Sequence, residues 1–271
     1  MAALPEPART PPELQAPGAL RSETYLTLQT RRAQLMVLGR PQGEDKQQIV
    51  GLTHFAALTR SVWNGALADD PYAHWWLLRI HQAIEESTVE LKAMTAHLEQ
   101  LLQTIPGVTA TVAQSVEPVR IPLTFTNPYG FRGAYLLAHY DEAIRRIMTA
   151  RHIALLDHDR GEHFLTEAGR HVRRAYNSVL RYRFLGINAD DIRLMTARGT
   201  EAEALLGALP AEVLDGQLRA PHAPNPRIRA FAIPFALRRR PTPVTAEAGP
   251  VPPSDGAGRA PSDGAADAPA P

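Results

Sequence analysis

The chain has 271 residues, 44% of them hydrophobic, with 24 prolines, no cysteine and a formal net charge of +1. That is ample apolar material for a core, while the lack of cysteine removes disulfides, thiolate nucleophiles and cysteine-ligated zinc together and fits a reducing cytoplasm. No run approaches the ~18 apolar residues of a membrane span and the N-terminus has no signal-peptide core, so the chain reads as soluble and cytoplasmic.

Residues 1–19 are rich in Pro and Ala and are expected to be disordered. Residues 241–271 form a second disordered segment, a Pro/Ala/Gly/Asp tail in which PSDGA occurs at 253–257 and again at 261–265. The tail carries Arg259 against Glu247, Asp255, Asp263 and Asp267, a net of −3, and residues 1–19 carry Arg9 against Glu6 and Glu13, a net of −1. The segment 20–240, expected to be a single α-rich globular domain, therefore holds about +5, and Lys46 and Lys92 are its only lysines. Arginine's planar fork suits phosphate and carboxylate, although high-GC coding also enriches it.

In chain order, residues 25–29 alternate polar and apolar as a half-buried strand. Arg40–Pro41–Gln42–Gly43 marks a loop, and 49–67 reads as a short helix. Asp70 and Pro71 supply an N-cap and first-turn proline for the longest helix. In it Leu77, Ile80, Ile84, Leu91, Met94, Leu98, Leu101 and Ile105 keep a 3–4 spacing broken only by Ser87 and stopped at Pro106–Gly107. The seam suits either a coiled-coil dimer or an intramolecular bundle. Trp75 and Trp76 read as core anchors.

Residues 119–125 alternate again, with Pro122 confining the strand to an edge or to one neighbour, and 25–29 is the obvious partner. After Asn127–Pro128 the chain turns helical with Ile144, Ile147, Met148 and Leu155 on one face. Asn188 and Asp191 resemble a capping box for a helix through Ala197, followed by a helix over 201–209. Phe231, Ile233, Phe235 and Leu237 alternate in a last strand. The expected fold is thus mainly α with a small β component, a helical bundle with two or three short strands (α+β).

The most informative stretch is 163–181. On a helix, Leu165, Ala168, Val172, Tyr176 and Val179 fall on one side, while His163, Arg170, Arg173, Arg174, Asn177 and Arg181 fall within a ~100° arc on the other. A cation ladder about 27 Å long suits a polyanion better than a small substrate, with Glu167 at its edge the one contrary charge.

Catalytic and metal signatures are missing. His171-Val172-Arg173-Arg174 reproduces the H-x-x-R string of tyrosine recombinases, but the later tyrosines, Tyr176 and Tyr182, are too near to act as their nucleophile. There is no phosphate-loop, G-x-S-x-G or H-E-x-x-H string. The cluster from His152 to His163 (Asp157, His158, Asp159, Glu162) reads as a hinge between helices at Asp159–Arg160–Gly161. The expectation is therefore no enzyme, no cofactor and no metal site.

Six strings carry a resemblance: SETYLTLQTR at 22–31, DDPYAHWW at 69–76, AQSVEPVR at 113–120, NPYGFRGAY at 127–135, TARHIALLD at 149–157 and YRFLG at 182–186. Over roughly residues 20–225 the chain resembles accessory proteins of integrating conjugative elements from Gram-negative bacteria, related to AcaB-like regulators. The resemblance implies a DNA-binding transcriptional activator of conjugative-transfer genes with ribbon-helix-helix character, and no catalytic residues. In such proteins a two-stranded ribbon, one strand from each subunit, enters the major groove. Either Thr27 and Gln29 or Arg120 and Thr124 would then face DNA, with Arg170, Arg173, Arg174 and Arg181 on phosphates. A minimal module of this type is ~50 residues, so the rest of the domain has another task. Duplex DNA is the expected partner, with a homodimer and other conjugative-element proteins as further partners and no membrane. The alternative is a non-enzymatic scaffold of the conjugation machinery, contacting proteins through the heptad helix and the disordered tails.

Overall fold

The computed structural model describes residues 22–43 and 47–225. The disordered segments expected at 1–19 and 241–271, and the strand expected at 231–237, lie outside the described residues.

Strand β1 (Tyr25–Leu28) leads into helix α1 (Arg31–Leu38), whose N-terminus is capped by the Thr30 side chain accepting from the Ala33 N–H. Gly39 ends α1 at φ 72°, and a Cβ there would lie 2.3 Å from the Ile49 carbonyl oxygen, so only glycine lets β2 (Gly39–Arg40) pair with β3 (Ile49–Val50). Helix α2 (Leu52–Leu67) follows. Helix α3 (Pro71–Leu102) starts where expected, with the Asp70 carboxylate accepting from Tyr72 and Ala73 N–H and Pro71 in the first turn.

Strand β4 (Val119–Pro122) pairs antiparallel with β1, as the alternation predicts, in the register Tyr25↔Pro122, Leu26↔Ile121, Thr27↔Arg120 and Leu28↔Val119. Helices α4 (Pro128–His152) and α5 (His158–Asn177) complete the bundle, and α6 (Ala189–Arg193), α7 (Ala197–Leu206) and α8 (Ala211–Leu214) form a short helical coda. The architecture is mainly α with a small β component, as expected.

The heptad seam is consumed within the chain. Leu77, Ile80, Ile84, Leu91 and Leu98 are buried as α3 packs against α2, α4 and α5. Ser87 breaks the repeat because α5 approaches there: its side chain is buried and its hydroxyl donates to the His171 carbonyl at 3.0 Å. Ile105, the last seam position, lies beyond the helix and is exposed. Trp76 is buried, as an anchor should be, with its indole N–H reaching the Leu180 carbonyl at 3.4 Å. At the bundle centre Phe55 of α2 stacks on Tyr176 of α5 at 4.8 Å, and the Tyr176 hydroxyl donates to the Gly133 carbonyl of α4.

Several boundaries differ from the sequence reading. The hinge between α4 and α5 is residues 153–157, not 159–161: Asp157 is the N-cap of α5, and Gly161 is buried inside that helix against Arg151. Helix α5 also stops at Asn177, so residues 178–181 are a turn in which Arg181 takes φ 71°. Met148 is exposed, on the outer face of α4, and Leu155 falls in the hinge. The Asn188–Asp191 capping box forms, but α6 ends at Arg193, because Met195 takes φ 50° and Thr196 then caps α7. That next helix starts at Ala197 and ends at Leu206, with Gly207 as its cap.

Candidate nucleic-acid interface

The apolar stripe of α5 decides which residues it offers to solvent. Leu165, Ala168, Val172, Ala175 and Tyr176 are buried, which turns Arg170, Arg173, Arg174 and Asn177 outward. These four residues do not stand on an open helix face. With Arg40, Gln47, Gln48 and Ile49 of the β2–β3 hairpin they line a cleft of about 460 Å³. Arg40 is held in place by a bond from its guanidinium to the Gln47 carbonyl at 3.1 Å.

The electrostatics of the cleft are one-signed. Four of its eight lining residues are arginines and none is acidic. Among the described residues Arg170 and Arg173 form no ion pair, while Arg174 pairs with Glu86 of α3 through two exposed side chains. An exposed pair of this kind contributes little and yields readily to a stronger anion. Two unpaired guanidiniums facing a third across a groove are complementary to phosphate oxygens, to which each fork can donate in bidentate fashion. Arg181 is exposed but lies outside both α5 and the cleft, so the ladder is one turn shorter than the sequence indicates. His163 and Glu167, nearer the start of α5, pair with each other at 3.5 Å.

The ribbon is the second feature. In the β1–β4 register Leu26 and Leu28 are buried, and Thr27 sits opposite Arg120 on the exposed face. The Arg120 guanidinium lies 4.5 Å above the Tyr25 ring, a cation–π contact that holds it over the ribbon. The two alternatives left open by the sequence thus become one surface, with Thr27 and Arg120 side by side. Gln29 is committed elsewhere: its side-chain carbonyl accepts from the Ser115 N–H at 2.9 Å and its own N–H donates to Asp141 at 2.8 Å. Thr124 is exposed just beyond β4. Both strands of this ribbon come from one chain, unlike the two-subunit ribbon implied by the resemblance.

Arg40 is the residue that sequence reasoning missed. It sits 130 positions from Arg170 in an Arg-Pro-Gln-Gly stretch that reads as an ordinary loop, and only the Gly39 turn brings it to α5. No helix among the described residues is long and apolar enough to cross a membrane, and none of them form a group of three or more His, Asp or Glu suited to a metal ion.

These features define a mainly helical domain with an arginine-lined cleft and a short polar ribbon. The sequence profile of the transcriptional regulator AcaB matches residues 16–227, and the chain belongs to that family of regulators. In fold it aligns with the crystal structure of selenomethionine-containing AcaB from uropathogenic E. coli at 12% identity and a TM-score of 0.49, covering 72% of this chain and 95% of that one. No curated protein matches.

Proposed function

We propose that this AcaB-family protein regulates conjugative-transfer genes of an integrating conjugative element by binding duplex DNA in the cytoplasm. The observation that carries the reading is the cleft in which Arg40, Arg170, Arg173 and Arg174 converge without a carboxylate among its lining residues. In this reading the cleft holds the phosphate backbone and sets register, with Arg181 as an outlying contact. Thr27 and Arg120 of the ribbon, flanked by Thr124 and Gln29, read base edges, an arginine being the usual partner of guanine. Neither metal nor cofactor takes part, and the chemistry is recognition rather than catalysis. A homodimer and other conjugative-element proteins are the further partners in this proposal.

The scaffold alternative invoked the heptad helix and the two tails: the seam residues Leu77, Ile84, Leu91 and Leu98 are buried within the chain, while the tails lie outside the described residues. Genome-wide binding of a tagged copy in cells carrying the element, together with anisotropy on specific and scrambled duplexes, tests the reading. Enrichment at transfer promoters is the expected result. A folded protein with no measurable affinity for duplex DNA would sink it.

A further inference from the structure

Arginines that a helical projection lays out as a ladder for an extended polyanion are gathered by the fold around a single cleft. Its walls come from two elements, Arg40 standing on the β2–β3 hairpin and Arg170, Arg173 and Arg174 on α5. None of these donors is sealed in the core: Arg40, Arg170 and Arg174 are exposed and Arg173 is half-buried. The volume of about 460 Å³ lies within the range of small-molecule sites. The lining departs from the apolar make-up usual there, since Ile49 is the one apolar side chain among the described residues that form it. A ligand that fills such a cleft must bring charge.

The amount of charge can be counted. Four guanidiniums, less the Glu86 carboxylate that pairs with Arg174, leave a net of +3. Duplex DNA spreads its charge along a convex rod, with one phosphate per ~3.4 Å of axis on each strand. A strand passing over the cleft presents its phosphates singly. A diphosphate ester concentrates its charge instead: the terminal group carries ~1.5–2 negative charges at pH 7 and the inner one adds about one more. Two tetrahedral groups sharing an oxygen therefore match the cleft in compactness and in charge, and offer each planar fork a pair of oxygens. The exposed amides of Gln47 and Asn177 stand beside the arginines, where a base or sugar attached to the diphosphate would meet them.

We infer that this cleft binds the diphosphate group of a small molecule, a nucleoside diphosphate or pyrophosphate itself. The inference shares its residues with the DNA reading but stands on the cleft alone. A diphosphate seated there occupies the guanidiniums that a DNA phosphate would use, so the two ligands exclude each other. In a DNA-binding regulator the diphosphate then acts as an effector that releases the duplex.

Calorimetric titration of the full chain with ADP, pyrophosphate and AMP tests it, at ~0.15 M salt so that diffuse attraction between exposed charges is screened. One saturable site is expected for ADP, pyrophosphate or both, about tenfold or more tighter than for AMP. Tighter binding of ADP than of pyrophosphate assigns the ligand to nucleoside diphosphates, and the reverse or equality assigns it to the free diphosphate. Arg40→Gln should weaken binding about tenfold or more, and Glu86→Gln, which frees Arg174, should tighten it. Arg170→Gln alters an exposed side chain without an ion pair, and decides the matter if Arg40→Gln does not fold. No saturable site on the folded parent, AMP binding as tightly as ADP, or unchanged affinity in a folded Arg170→Gln protein overturns the inference. Duplex anisotropy keeps the two readings apart. Diphosphate binding without duplex binding removes the DNA reading alone, and duplex binding without diphosphate binding removes this inference alone.

Discussion

Asp141, buried on α4, accepts both the backbone N–H and the hydroxyl of Thr30, at 2.9 and 2.6 Å. The Gln29 N–H adds a third bond at 2.8 Å. One carboxylate therefore fastens the end of β1 and the cap of α1 to the bundle, and holds the ribbon by its inner end. Replacing it with alanine strands three donors, and hydrogen bonds to a charged group contribute ~1.5–3 kcal/mol each in favourable cases. Asp141→Ala should lose at least ~3 kcal/mol in chemical denaturation, and Asp141→Asn, which keeps one acceptor, should lose less. An alanine variant of parental stability would show that the clamp does not carry the ribbon.

The buried seam of α3 makes a second expectation. Leu91→Ala and Leu98→Ala each empty a fully buried site and should cost ~2–5 kcal/mol. Because the seam packs on α2, α4 and α5 of the same chain, the melting temperature should not depend on protein concentration through it. A rise in melting temperature with concentration that Leu91→Ala abolishes would place the seam between subunits.

Asp70 supplies a pH dependence of unfamiliar sign. Burial pushes its carboxyl from 3.8 up to about 6, opposed by the Tyr72 and Ala73 N–H groups it caps. The folded state thus holds the proton more tightly than the unfolded chain. The contribution of this group to stability is fullest below pH 4 and declines as pH rises through about 6. Asp70→Asn retains the cap and should flatten the stability profile across that window, with a gain at neutral pH on the order of 1–3 kcal/mol. Denaturation midpoints from pH 4 to 8 measure it, and a parent profile that rises through the window while the variant is flat would refute the assignment.

For the cationic cleft, Arg170→Ala, Arg173→Ala and Arg40→Ala should leave the fold intact, since all three side chains lie outside the core. Each lost phosphate contact should reduce the slope of log K against log salt by ~0.9 on duplex DNA. Thr27→Ala and Arg120→Ala should instead narrow the gap between specific and scrambled duplexes. Arg40 is the informative member, because a solvated helix face would ignore it and a cleft would not. An unchanged salt slope in Arg40→Ala removes the hairpin from the interface.

Residues 20–240 are proposed to be the folding unit. A chain cut to that range should keep the melting transition of the full protein, because 241–271 contains few large apolar residues that could dock. A drop of several degrees would show that one of the ends packs on the domain.

Much of this protein was legible without coordinates, because local chemistry decides it. Asp70–Pro71 starts α3, Asn127–Pro128 starts α4, Asn188 with Asp191 boxes α6, and alternation around Leu26, Leu28 and Ile121 marks both strands of the ribbon. The outward face of α5 follows as well, since Leu165, Ala168, Val172 and Tyr176 leave Arg170, Arg173 and Arg174 no other side. What lay beyond the sequence is what depends on two distant segments meeting. Periodicity records that the α3 seam is apolar but not which helix covers it, and Ser87 becomes intelligible only beside the His171 carbonyl. The end of α5 escaped because Val179 keeps the helical spacing while the backbone turns at Arg181. Arg40 reaches the arginines of α5 through a glycine whose positive φ no charge pattern encodes. Propensity and capping act over three or four residues, whereas a cleft is a relation between surfaces, which tertiary packing alone determines.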